Sequence, residues 1–380
     1  MTRIGVVIHG PAVIDSGRAN TVINIVAGMG EIRSVLGGTM GRAAVIDAGL
    51  EDIVNISVSR KPSESVMALG ACCDVVLLVN EGKCTRSGLA FGRMVFDNLG
   101  SFSVPLIHVE FTRSGNGSCV LIPWNDMTDF PLAFALLEEL ENVLEARRVP
   151  PPETRTCLEI QDDMVRRKVA GVRPGEYVTV NGIVIGKALS DEVYITCMDG
   201  EIIELHNGRL KPHGVEKLGR VDLSTVTIRS GPLRTADVTP RILEHKVSGI
   251  AVIIDHAAEQ TFEIAQDADV AVTVGDDTTA VAGDLLTRLG ISLIGIVDGD
   301  GDGIIHHAHV PPGSVIIRLA SGNDDIVGRR VHEEIFGGQE RIDMGDAGFE
   351  GVLERVLELV GGLVEDVVRY HTVLSNTKEP

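Results

Sequence analysis

Five aspartates pose the chemical question. Asp276 and Asp277 close one apolar run, and Asp298, Asp300 and Asp302 close the next, within "VTVGDDTTAVAGDLLTRLGISLIGIVDGDGDG" (272–303). Carboxylates brought within a few ångströms repel one another, by about 4 kcal/mol at 4 Å for an effective dielectric near 20. A hard divalent cation offsets that cost. Mg²⁺ or Mn²⁺ takes carboxylate oxygens together with waters and phosphate oxygens, so these five residues are the candidate metal ligands. Asp255 and Glu259 add carboxylates near a third run. The plainer reading is that Asp-Gly pairs form turns, that Asp277 caps a helix, and that Asp284 and Arg288 make an i,i+4 pair along it. "DGDGDG" also imitates the start of a calcium-binding EF-hand loop, but the position needing a bidentate Glu holds His309 and a strand precedes the loop. His306, His307 and His309 offer imidazoles for a transition metal beside the carboxylates.

A second set of residues suits an anion. The first apolar run, "RIGVVIH", ends in His9 and Gly10. "LGGTMGRAAV" places Gly37, Gly38, Thr39, Gly41 and Arg42 before a helical pattern, and "NEGKCTRSG" adds Lys83, Thr85 and Arg86 after another strand. Backbone N–H groups at a helix start attract phosphate. The spacing fits neither the GxGxxG fingerprint nor the Walker A loop, so the expectation is a crevice for a phosphate-bearing small molecule without a named cofactor. The alternative is that these are tight strand–helix turns needing positive φ. No nucleophile motif is present, and His108 and His256 have no partner visible in the sequence.

The elements that would position both sets read as α/β. Strands are expected at 3–9, 74–80, 104–110 and 119–123, with a helix at 128–147. Buried strands alternating with helices imply a parallel sheet. "RRVPPPET" (147–154) breaks that rhythm and opens a linker. From 172 the pattern alternates with period two, with turns at Asn181-Gly182, Asp199-Gly200 and Asn207-Gly208, the mark of small antiparallel hairpins. Strands return at 249–254, 269–274, 291–297 and 313–319, with helices at 257–266, 278–289, 324–336 and 346–372. The expected organisation is an N-terminal α/β domain (1–147), a linker (148–171), a small β domain (172–235) and a C-terminal α/β domain (236–380). That is two Rossmann-like parallel-sheet domains with a small antiparallel β unit between them. The apolar stripe of the last helix, Phe349 to Val368, covers its own sheet or forms a two-fold dimer contact.

Composition narrows the partners. The chain has 380 residues and a net charge of −20, which opposes binding to nucleic acid or an anionic membrane. Aromatics are 3% of residues, too few for a base-stacking platform. The opening apolar run is too short for a signal peptide, and no run reaches membrane-spanning length. The six cysteines show no CxxC spacing, consistent with reduced thiols in a cytoplasm.

"IGVVIHGPAVIDSG", "LGGTMGRAAVIDAGLED", "VNGIVIGKALSDEV" and the acidic stretch together resemble an uncharacterised archaeal family, a domain-of-unknown-function family found mainly in methanogens. The likeness covers nearly the whole chain and implies a cytoplasmic archaeal protein, without an activity or assigned residues. The C-terminal part also resembles Toprim-type folds in placing Asp298-x-Asp300 after a strand. The other Toprim element is poorly met, because Asp255 stands where a Glu is needed and Glu259 lies four residues on. The functional expectation is a divalent-metal-dependent enzyme acting on a phosphate-bearing small molecule, such as a nucleotide or cofactor precursor. The alternative is a non-catalytic metabolite-binding or assembly protein.

Overall fold

The computed structural model describes residues 2–113, 118–153, 158–161, 164–231, 234, 236, 238–299, 309–371 and 374–375. The chain divides into two units, one built from 1–41 and 52–232, the other from 42–51 and 233–380.

The first unit is organised by β-branched runs that are buried end to end. Strands β1 (Arg3–His9), β2 (Glu31–Gly37), β3 (Val54–Asn55), β4 (Val75–Gly82), β5 (Leu106–Thr112), β6 (Cys119–Pro123) and β7 (Arg147–Arg148) form one sheet in the order β3-β2-β1-β4-β5-β6-β7. Strands β1 to β5 are parallel, and β6 runs antiparallel to β5. Val6, Val7, Leu77 and Leu78 are wholly buried. That is why both faces carry helices: α1 (Ala12–Asp15), α2 (Arg18–Ala27), α4 (Pro62–Gly70), α5 (Thr85–Asp97) and α6 (Pro131–Leu144). Helix α3 (Arg42–Asp47) belongs to the second unit. The strand order reverses direction between β1 and β4. In open α/β sheets such a reversal opens a crevice beyond the carboxyl ends of the strands.

The same unit carries two four-stranded antiparallel sheets. One has the order β14-β11-β10-β15, from β10 (Tyr177–Val180), β11 (Ile183–Ala188), β14 (Gly208–Leu210) and β15 (Ile228–Ser230). The other has the order β13-β12-β9-β8, from β8 (Leu158–Gln161), β9 (Met164–Lys168), β12 (Tyr194–Met198) and β13 (Glu201–His206). Val178, Ile185, Ile195, Cys197 and Leu205 share one core with α7 (Pro212–Leu218) leaning on it. Asn181 and Asp199 adopt φ 49° and 50°, the left-handed conformation that Asn and Asp tolerate in tight hairpins. The stretch 148–171 carries β9, which pairs with β12, and β8, which pairs with β9, so it contributes two strands to this module as well as the proline segment.

In the second unit β16 (Ile250–Asp255), β17 (Val270–Val274), β18 (Ser292–Val297) and β20 (Val315–Leu319) lie parallel and in sequence order. A short pair, β19 (His309–Val310) and β23 (Leu374–Ser375), stands apart. Antiparallel β21 (Arg341–Asp343) and β22 (Val364–Arg369) flank the main sheet. Helices α8 (Thr261–Ile264) and α9 (Asp276–Leu289) serve one face, where Ala282 and Leu286 meet Val252 and Ile254. Helices α10 (Asp324–Arg330) and α11 (Gly348–Val360) serve the other, where Val327, Val352 and Val356 meet Ile294 and Ile317.

The fold class expected from the sequence therefore holds: parallel-dominated α/β sheets with small antiparallel sheets. The terminal helix needs correction. It stops at Val360, Gly361 turns to φ 50°, and Val364–Arg369 continue as a strand on β20. The glycine pair breaks the helical run, and the β-branched Val364, Val367 and Val368 beyond it favour a strand. The helical part of the stripe, Val352, Leu353, Val356 and Val360, covers the sheet of its own unit.

Candidate functional site

At the carboxyl end of the first unit's central strands, β1 delivers His9 and Gly10 and β2 delivers Gly37 and Gly38. Gly10 and Gly38 turn the chain with φ 77° and 93°. Gly37 and Gly41 are present for closeness. A Cβ on Gly37 would lie 2.7 Å from Val7, and one on Gly41 would lie 2.8 Å from Leu36 and 3.4 Å from the Gly10 carbonyl. The two loops thus pack against each other, with Thr39 half-buried between them in sequence. His9 donates from Nδ1 to the Gly37 carbonyl at 2.9 Å, and its ring stacks on Phe91 of α5, 4.2 Å between centroids and 15° from parallel. Burial, with the charge of Arg229 nearby, pushes the His9 imidazole down to about 4.

Arg229 arrives from the antiparallel module, on β15. Its side chain is exposed, and the protein around it lowers its pKa from the ordinary value. Among the described residues no carboxylate pairs with it, and no charge from one acts on it. Next to it Ser230 accepts a hydrogen bond from Lys83 Nζ at 3.0 Å, and Lys83 also bonds Glu176 Oε2 at 2.7 Å. Lys83 is therefore a strut between the β4–α5 loop and the antiparallel module. Desolvation lowers its pKa, the bond to Glu176 acts the other way, and the charges of Arg113 and Arg173 lower it further. Glu81, on the same strand end, gathers Arg18 at 3.2 Å and a hydrogen bond from Ser16 at 2.6 Å.

Behind this edge lies a sealed polar cluster. Glu110 accepts from Asn80 Nδ2 at 2.7 Å, Gly82 N–H at 2.8 Å and His108 Nε2 at 3.0 Å, with Glu110 and His108 wholly buried. Helix α5 makes room for it. A Cβ on Gly88 would come within 1.8 Å of Glu110 Oε1, and one on Gly92 within 2.3 Å of His108 Nδ1. His108 is thus held through Nε2, while its buried Nδ1 has no hydrogen-bond partner among the described residues.

In the second unit the acidic strand ends are neighbours, because β16, β17 and β18 are adjacent. Asp276 opens α9 after Gly275 (φ 94°), so Asp277 sits in the first turn and does not cap the helix. Asp276 Oδ2 accepts the backbone N–H groups of Asp298 and Gly299 at 3.0 and 2.9 Å, and Asp298 Oδ2 accepts that of Gly322 at 2.5 Å. His256, at φ 52°, bonds Asp255 at 2.5 Å through Nδ1 and Asp325 at 3.1 Å through Nε2. Among the described residues no group of three or more His, Cys, Asp or Glu side chains is placed to hold a metal ion. Asp300, Asp302, His306 and His307 lie outside the described residues.

Two other candidates fall in a different part of this unit. Arg42, the first residue of α3, is buried against the Phe262 ring and paired with Glu263. His309 bonds Asp284 at 2.9 Å within a buried ion network. There Asp284 and Arg288 form the expected i,i+4 pair at 2.6 Å, and Asp47 holds Arg288 at 2.7 Å and Arg234 at 2.6 Å.

A family model described as "Uncharacterized protein conserved in archaea (DUF2117)" matches residues 6–339. The chain belongs to this archaeal family. A relative, the uncharacterized protein MJ0065 of Methanocaldococcus jannaschii, is 40% identical over 340 residues, covering 88% of this chain and 91% of the relative. No solved structure matches.

For this family member the matched span includes His9, Lys83, Arg229, Asp276 and Asp298. Sequence reasoning reached His9, the glycines and Lys83, but missed Arg229, Glu176 and Ser230. "TVTIRSGP" (225–232) contains no motif. β15 is held in the antiparallel sheet by β10, and the bond from Lys83 to Ser230 together with the charge of Arg229 acting on His9 ties it to the strand ends.

Proposed function

We propose that the first unit binds a phosphate-bearing small molecule beyond the carboxyl ends of β1 and β4. One observation carries this reading: Arg229 is an exposed guanidinium with no carboxylate partner among the described residues, in a chain with a net charge of −20, and its charge reaches His9 at the end of β1. A guanidinium that no carboxylate claims keeps its donors available to a bound anion, and its charge-assisted hydrogen bonds to a phosphate are strong. The setting agrees, since Gly10 and Gly38 turn the backbone there and the sheet reverses direction at that point. The test is a melting curve with inorganic pyrophosphate. A ligand that binds only the folded state contributes about 2.7 kcal/mol at a hundredfold excess over its Kd. Arg229→Gln should remove the shift. A shift of equal size in the variant, or none in the wild type, defeats the reading.

The proposal extends to catalysis dependent on Mg²⁺ or Mn²⁺ at the second unit's strand ends. Its support is that Asp255, Asp276 and Asp298 terminate three adjacent strands, where a cation would offset repulsion and neutralise charge on a phosphate. Raised melting temperature in Mg²⁺, lost in Asp276→Asn with Asp298→Asn, tests the site. Metal-dependent turnover of a nucleotide panel separates an enzyme from a non-catalytic metabolite-binding protein, which would bind without product. We also propose a two-fold dimer, supported by Val367 and Val368 standing 43% and 41% exposed on the flanking strand β22. Light scattering showing a monomer at micromolar concentration would refute it. A cytoplasmic setting is supported by the five described cysteines, all free. No helix among the described residues is long and apolar enough to cross a membrane.

A further inference from the structure

We propose that His9 is a ligand-contacting hydrogen-bond acceptor, so that the first unit's crevice selects an oxyanion carrying its own O–H: phosphate rather than sulfate. The inference rests on reading that crevice as an anion site.

The Gly37 carbonyl can only accept, so the 2.9 Å contact places a proton on His9 Nδ1. Stacking on Phe91 fixes the ring plane. In a neutral imidazole the remaining nitrogen, Nε2, then holds a lone pair. Among the described residues Nε2 has no protein partner, and it is not one of the polar atoms sealed from water. Burial and Arg229 keep the ring neutral at physiological pH, with His108 acting in the same direction and the Gly37 bond opposing. His9 thus presents an acceptor beside a cation.

A site built only from donors treats phosphate and sulfate alike, because the two are similar in shape and charge. One fixed acceptor changes that. Hydrogen phosphate donates its O–H to the lone pair, whereas sulfate has no proton at neutral pH and sets lone pair against lone pair. Sites that hydrogen-bond a ligand reject the analogue lacking the group, because a crowded polar atom is left unpaired.

The experiment is calorimetric titration of the full chain at pH 7 and constant ionic strength, with inorganic phosphate and with sulfate. Phosphate should bind at least about tenfold more tightly, the scale of one hydrogen bond. His9→Phe keeps a ring against Phe91, and His9→Asn keeps a donor able to reach the Gly37 carbonyl. Both should narrow the preference, weakening phosphate and relieving sulfate of the opposing Nε2 lone pair, and His9→Phe, which offers no acceptor at all, should erase it. Nitrogen NMR of the imidazoles should show His9 protonated at Nδ1, with its Nε2 signal moving on addition of phosphate. Equal wild-type affinities, or a preference that survives both variants, overturn the inference. If neither anion binds, or if Arg229→Gln binds both as well as the wild type, the anion site itself falls. Equal affinities that both depend on Arg229 strike the His9 inference alone.

Discussion

Both units gather charge at the ends of their parallel strands, in the first an arginine brought by the antiparallel module, in the second the aspartates that follow the strands themselves. In the first, Arg229 meets no carboxylate among the described residues, and the neutral His9 keeps a nitrogen without a protein partner. In the second, Asp276 and Asp298 accept backbone N–H groups, and His256 lies between Asp255 and Asp325. A string of aspartates attracts attention in a sequence, but charge marks a site only after its internal partners have been counted. By that measure the quieter arginine is the stronger indication. The buried clusters of the two units extend the comparison: in the second, Asp47 and Asp284 share Arg288, whereas in the first Glu110 is fully engaged but His108 Nδ1 has no hydrogen-bond partner among the described residues.

The largest expected effect comes from breaking the second unit's cluster. Arg288 is 1% exposed and neutralises both Asp47 and Asp284. Arg288→Ala leaves two buried carboxylates short of a partner and should cost about 3–5 kcal/mol. Arg288→Met, which fills the volume, should be no better, because the carboxylates remain. Urea unfolding followed by circular dichroism measures this. A loss below about 1 kcal/mol would show the network to be hydrated and weak.

The matching change in the first unit is smaller. Gly88→Ala drives a methyl group to within 1.8 Å of Glu110 Oε1. Overpacking of this kind costs about 1–3 kcal/mol. Trp124, the single tryptophan, is buried in this unit, and its stacking partner Phe96 lies on α5. Its fluorescence should therefore report the loss. An unchanged transition would mean that Glu110 can move aside, and that the Asn80–Glu110–His108 cluster is looser than its geometry indicates.

The acid response follows from Asp284. Burial alone would raise its pKa, but the His309 hydrogen bond and the charges of Arg288, His309 and Arg234 outweigh that and hold it below the ordinary value. A carboxylate depressed in the folded state contributes stability that is complete above the unfolded pKa of about 3.9 and is lost as pH falls through the folded value. The second unit should therefore hold its stability down to about pH 4 and weaken below it. Asp284→Asn should flatten that decline. A variant with the wild-type acid slope would assign the decline to other carboxylates.

Several of these features were legible in the sequence, and the reasons differ by region. Strands such as 3–9 and 291–297 are short apolar runs rich in Val and Ile, and composition and length mark them. Strand β2 reads "EIRSVLG", where Glu31 and Arg33 interrupt the apolar pattern, although it pairs along β1 for its whole length. Strands β8 and β9 were hidden behind the proline segment, and "MVRRK" carries more charge than a buried strand needs. Val364–Arg369 was absorbed into a helix because i,i+3 and i,i+4 spacing continues through it, whereas the change of structure is set by Gly361 and by a partner strand distant in sequence. Of the site, the strand-end glycines and His9 were visible because turns have local chemistry. Arg229 was not visible, since nothing within several residues of it shows that β15 pairs with β10.

The smallest change tests the comparison most sharply, because its sign is informative. Asp276→Asn removes one charge from the acidic strand ends and keeps an oxygen able to accept from the Asp298 and Gly299 N–H groups, now 3.0 and 2.9 Å away. Two contributions oppose each other. Asp276 stands at the start of α9, where a negative charge favours the helix, and bonds to a charged acceptor are stronger than bonds to an amide. Against this, the charges at Asp255 and Asp298 on adjacent strand ends repel it. If internal partners settle this region, the first contribution wins and the variant loses about 1 kcal/mol in metal-free buffer. That is the expected result, read from urea unfolding in the presence of a chelator. A variant more stable than the wild type would mean that repulsion dominates. The second unit would then be the one holding unsettled charge, as strained functional sites do, and the ranking of the two crevices would reverse.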